Sequence, residues 1–97
     1  MDETSVRQRA QAHGDAVVAG DLRAAGGDLS PTAREQAGGV MGQLPRPTTA
    51  AEVASLEQGE DDWVALIRYS GEDAEVVVES RWAEVEGELK IVNLRVP

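Results

Sequence analysis

The spacing of apolar residues changes once along this 97-residue chain, near residue 48, and that change limits the possible folds more than any other feature. Before it, apolar residues recur with a helical period of about 3.6; after it, they alternate with a period of two. "WVALIRYS" (63–70) places Trp63, Ala65, Ile67 and Tyr69 on one face of a strand and Val64, Leu66 and Arg68 on the other. "AEVVVESRWAEV" (74–85) does the same with Val76, Val78, Ser80 and Trp82 against Val77, Glu79, Arg81 and Ala83. "LKIVNLRV" (89–96) sets Leu89, Ile91, Asn93 and Arg95 against Lys90, Val92, Leu94 and Val96. The separators "QGEDD", "SGED" and "EGE" are short turn sequences, so these strands run antiparallel. "TAAEVASLE" (49–57) suits helix or strand by propensity, and the meander after it favours strand.

The first half reads as helices. In residues 4–19, Val6, Ala10, His13 and Val17 form one apolar stripe. Thr4 or Ser5 can cap its start, Asp2 and Glu3 suit the positive end of the helix dipole, Gly14 weakens it and Gly20 stops it. "DLRAAGGDL" can form a further helical turn before Gly26-Gly27. Ser30 and Pro31 are a strong start signal for a helix to about Gln36 or Ala37, where Gly38-Gly39 can end it. Residues 38–48, with two prolines, read as loop.

Helices followed by an antiparallel meander make an α+β chain, with N-terminal helices packed on a curved sheet of three to four or more strands. Residues 1–97 form one domain, helical over 1–40 and stranded over 49–97. A chain this long buries roughly two-thirds of its unfolded surface and needs neither metal nor disulfide. Its core is thin, however. There is no Phe, and Trp63, Tyr69 and Trp82 are the sole aromatics. A thin core and an open sheet both gain from a second copy, so a homodimer through the sheet face is expected.

"AVVAGDLRAAGGDLSP" (16–31) and "RWAEVEGELKIVNLRV" (81–96) together resemble the nuclear transport factor 2-like, or SnoaL-like, superfamily. The first stretch is similar to that family's helix–Gly-Asp–turn segment, and the second to its closing pair of strands. The resemblance implies a cone in which a bent sheet wraps the helices. Residues 38–52 are short for such a cone, which implies a reduced one. Members include isomerases, hydrolases, polyketide cyclases and non-catalytic binding domains, so the fold alone does not select a function.

The net charge of −9 repels nucleic acid and anionic membranes and would suit a basic partner. The absence of cysteine excludes disulfides and thiolate chemistry. No apolar run reaches the eighteen or so residues of a membrane span, and no signal-peptide core opens the sequence, so a cytoplasmic location is expected. Abundant Ala, Gly, Val and Arg with Lys90 as the lone lysine suggest a high-GC bacterial genome.

The candidate site residues are few. His13, the one histidine, can act as an acid–base group or ligand contact in a cavity, or be a buried structural histidine bonded to a backbone carbonyl. Tyr69 is its possible catalytic companion. Asp15, Asp21 and Asp28 could each serve as a base, but the glycines before Asp21 and Asp28 make turn or cap roles the expected ones. Trp63, Trp82 and Arg81 are candidate ligand contacts; Trp82 is also expected as a core anchor and Trp63 as an interface residue. Arg68, Glu79, Arg81 and Arg95 can pair across strands or form a polar floor for an anion. "EQGEDD" does not match a calcium loop and reads as a solvated turn, so neither metal nor cofactor is expected. The expected function is a small non-catalytic module that binds a small apolar ligand or a protein. The alternative is a small isomerase-, cyclase- or hydrolase-type enzyme using His13 with an acidic or tyrosine partner in an apolar pocket. An enclosed cavity of several hundred Å³ holding His13 or a carboxylate is expected of the enzyme, and a filled cone with an apolar outer patch of the binding module.

Overall fold

The structure is a computed structural model that describes residues 2–97. Three helices, α1 (Glu3–Ala19), α2 (Leu22–Gly27) and α3 (Pro31–Met41), precede four strands, β1 (Ala50–Gln58), β2 (Asp62–Ser70), β3 (Glu75–Val85) and β4 (Glu88–Arg95). The strands form one antiparallel sheet in sequence order, and the sheet is not closed. The α+β class and the helices-on-sheet arrangement are those expected.

Asp2, rather than Thr4 or Ser5, caps α1: its carboxylate accepts from the Ser5 backbone N–H at 2.8 Å. An aspartate at this position both satisfies an orphan donor and opposes the helix dipole. Gly20 ends α1 at φ +74°, where its N–H returns to the Ala16 and Val17 carbonyls. Gly14 is a packing requirement and not merely a weak helix position. A Cβ there would lie 2.9 Å from Ala51 Cβ and 3.3 Å from Ile67 Cγ2, so its absence lets α1 settle on β1 and β2.

The Gly38-Gly39 pair does not stop α3, contrary to its local signal; the helix continues to Met41 and is followed by Gly42. Each helical glycine costs about 1 kcal/mol of propensity relative to alanine. Continuing the helix past the glycines buries Val40 against the core. A buried Val contributes about 1.5–3 kcal/mol, which outweighs much of that cost.

Two register shifts bend the edge strands. One lies between Val53 and Ser55 in β1. The other sets Arg81 opposite Asn93 and Trp82 opposite Ile91, leaving Val92 as the extra residue of β4. Strict alternation expected Asn93 and Arg95 on the face of Leu89 and Ile91. The extra residue flips the phase, so Leu94 is buried with Leu89 and Ile91, and Arg95 is exposed. Helix side chains and a loop cover both edges. Gln11 of α1 donates to the Ala51 carbonyl at 2.9 Å and accepts from Val53 N–H at 3.2 Å. Gln36 of α3 accepts from Leu94 N–H at 2.7 Å. Residues 28–30 run beside β4, with Ser30 N–H donating to Ile91 O at 2.9 Å and Ile91 N–H to Asp28 O at 2.7 Å.

Trp82 is fully buried at the centre, among Val6, Ala10, Ile67 and Ile91. Its indole N–H donates to Ser80 Oγ at 3.0 Å, and that hydroxyl donates to Ala65 O at 2.9 Å. The outer sheet face, on which a homodimer was expected to form, carries cross-strand ion pairs: Arg68 with Glu52, Arg81 with Asp62, and Arg95 with Glu79, each at 2.6 Å. The Arg95 hydrogen bond holds the Glu79 carboxyl below its usual range. Among the described residues no helix is long and apolar enough to cross a membrane.

Candidate functional site

A cavity of about 310 Å³ opens between the helices and the inner sheet face. Val17 of α1, Ala25 of α2 and Ala37 and Val40 of α3 supply apolar wall; Val78 of β3 and Leu94 of β4 supply sheet wall. Leu22 and Met41, the exposed large hydrophobic residues among those described, also line it and so mark its rim. His13, Tyr69 and Arg34 are the polar side chains on its surface, and none of its lining residues is acidic.

The backbone of residues 28–30 sets the geometry around His13. Pinned to β4 at Ile91, it brings the Asp28 carboxylate to α1, where Oδ2 lies 3.0 Å from His13 Nδ1. Arg9, one turn earlier on α1, donates to the other oxygen of Asp28 at 2.9 Å and to Leu89 O at 3.3 Å. Burial pushes the Asp28 carboxyl up, but its hydrogen bonds to His13 and Arg9 prevail and hold it below the ordinary 3.8. An ionised Asp28 accepts the Nδ1 proton and thereby assigns the neutral ring the tautomer with Nε2 as a lone-pair acceptor. The ring is 5% exposed and meets Trp82 edge to face at a centroid distance of 6.0 Å. Nε2 has no hydrogen-bond partner among the described residues, and the ring lines the cavity.

Tyr69 stands on the cavity floor, 3% exposed. Its hydroxyl makes no hydrogen bond to a described residue, yet no sealed side-chain polar atom is left unpaired among them. The oxygen is therefore not sealed off, and its residue lines the cavity. Burial, then the nearby Asp15 charge, pushes the phenol well above its ordinary 10.0, so it is a proton donor throughout the neutral range.

The sequence-derived candidates thus separate. His13 and Tyr69 share the cavity, with Trp82 behind His13 as a packing partner. Trp63 lies opposite Trp82 across β2 and β3, beside the acidic turn after β1 and away from the cavity. Arg81 belongs to the outer-face ion pairs, bonded to Asp62. Asp21 caps α2 as expected, accepting from Ala24 N–H at 3.1 Å. Asp28 exceeds its expected turn role, because its side chain is the partner of His13. Arg9 and Arg34 were not legible as site residues, and Asp28, weighed as a base but expected in a turn or cap role, was not legible as the partner of His13; no local spacing links positions 13 and 28. Among the described residues no cluster of three or more potential metal ligands occurs.

Neither a protein-family model, nor a curated protein, nor a solved structure matches the chain.

Proposed function

We propose that this chain is a small binding domain of the nuclear transport factor 2-like kind that holds a compact, largely apolar ligand in the cavity above Tyr69. The supporting observation is an apolar cavity lined by two buried residues, each with a polar atom that no described residue bonds: the Tyr69 hydroxyl as donor and His13 Nε2 as acceptor. At the roughly 30 Å³ that each water takes in the liquid, 310 Å³ holds about ten non-hydrogen atoms. That volume is at the low end of small-molecule sites. A ligand with one carbonyl on an aliphatic body fits, its oxygen accepting from Tyr69.

The test is a heteronuclear NMR titration with 2-octanone. Saturable amide shifts should cluster at Val17, Ala37 and Val78. Tyr69→Phe should weaken binding about two- to tenfold, the effect of one neutral hydrogen bond, while the melting temperature stays nearly constant because the hydroxyl has no protein partner. Shifts that do not saturate, or that spread over the outer sheet face, would refute the reading.

The Asp28–His13 pair favours a second reading, proton transfer at a carbon next to a carbonyl. His13 Nε2 would take the proton, Asp28 would steady the resulting imidazolium, and Tyr69 would donate to the developing enolate oxygen. Deuterium uptake next to the ketone carbonyl in heavy water, abolished in His13→Gln, is the expected result. A ketone that binds but acquires no deuterium beyond the buffer rate leaves binding alone.

A further inference from the structure

We propose that the ligand carries a carboxylate, and that Arg34 at the cavity rim recognises it. This deepens the binding proposal above and rests on it. Arg34 is exposed, sits in the first turns of α3 and lines the cavity. Its guanidinium is already oriented: Nη2 donates to Gly26 O at 3.1 Å and Nε to Leu29 O at 3.5 Å. Both bonds use the Nε–Nη2 edge. The opposite edge, both protons of Nη1 and the second proton of Nη2, has no partner among the described residues. This edge is the fork that matches the two oxygens of a carboxylate. Arg9, Arg68, Arg81 and Arg95 each have a carboxylate within 4 Å; Arg34, like Arg7, Arg23 and Arg46, has none among the described residues, and of these four it is the one that lines the cavity.

The surroundings select the ligand's charge. The chain has 18 acidic residues, and none of them lines this cavity. One unpaired guanidinium neutralises a single negative charge, which suits a carboxylate better than a doubly charged phosphate in a molecule whose net charge is −9. Polarity is arranged along the site: the cation is at the rim with Leu22 and Met41, and Tyr69 and His13 are buried below. An aliphatic acid would leave its carboxylate near water on Arg34 and bury its chain, so desolvation of the charge is small.

The experiment compares octanoate, below its micellar range, with the neutral 2-octanone, on wild type, Arg34→Gln and Arg34→Lys. Octanoate should bind the wild type in the cavity. Arg34→Gln should weaken octanoate about tenfold, the effect of one charge-assisted pair, and leave 2-octanone unchanged. Arg34→Lys, which keeps the charge and loses the fork, should fall between. Unchanged 2-octanone binding also shows that the variants remain folded. If octanoate binds Arg34→Gln as well as wild type, the carboxylate proposal is wrong and the cavity reading stands. If neither probe binds any of the three proteins, the cavity reading fails and takes this proposal with it.

Discussion

Trp82→Ala is expected to lower the thermal unfolding midpoint by about 15–30 °C, the largest effect of any single substitution here. The removed indole is fully buried, and truncations of this kind cost about 3–5 kcal/mol. For a chain of this size each kcal/mol shifts the midpoint by about 4–8 °C. Little can compensate. The chain has no Phe, and alanines at 10, 33 and 65 occupy other core positions. The loss also reaches the site, because the His13 ring rests edge-on against this indole. Trp82→Phe separates volume from polarity: it keeps most of the bulk and removes the donor to Ser80 Oγ, which still bonds Ala65 O. Its cost should be about 1–2 kcal/mol. Far-UV circular dichroism melts of the three proteins decide the matter. If Trp82→Ala melts within a few degrees of wild type, the core does not depend on this residue as described.

The second large effect is expected at Asp28. Replacing it with Ala leaves the buried His13 Nδ1–H without an acceptor and releases Arg9, at a cost of about 2–3 kcal/mol. This cost should depend on pH in a defined direction. The folded protein holds the Asp28 carboxyl below its ordinary 3.8, so the ionised group stabilises the fold. That contribution is complete above the ordinary value and is lost as pH falls through the lower, folded one. Urea midpoints of wild type and Asp28→Ala should therefore differ most near neutral pH and converge as the pH falls below the ordinary 3.8. A difference that stays constant over that range would mean that Asp28 acts by packing and not by its charge.

Local chemistry carried much of the architecture. Ser30-Pro31 and Gly20 mark helix boundaries through hydrogen bonds and dihedral angles that involve their immediate neighbours. The Glu86-Gly87 turn, with φ of 52° and 83°, is equally local and closes the last hairpin where the sequence placed it. Alternation placed Ile67, Tyr69, Val78 and Trp82 on the inner face correctly, because β2 and β3 are central strands paired without a break over 62–83. It failed on β4, where the extra residue Val92 inverts the phase. A bulge forms where the sheet must bend over its helices, and no residue type within "LKIVNLRV" announces it.

The site shows the same division. That His13 faces inward followed from its helical spacing with Val6, Ala10 and Val17. What it faces did not, since Asp28 arrives only because residues 28–30 pair with β4, some sixty positions later in the chain. The open edge of Arg34 was equally invisible, because it depends on two carbonyls at the end of α2. By itself, then, the sequence determined the α+β class, the strand order and the buried faces of helix and central strand, since these follow from periodicity and short-range hydrogen bonding. The tertiary structure alone decided the cavity, the Asp28–His13 pair, the length of α3 and the phase of β4. Each of these comes from contacts between distant segments, whose burial and hydrogen bonding override local preferences of about 1 kcal/mol.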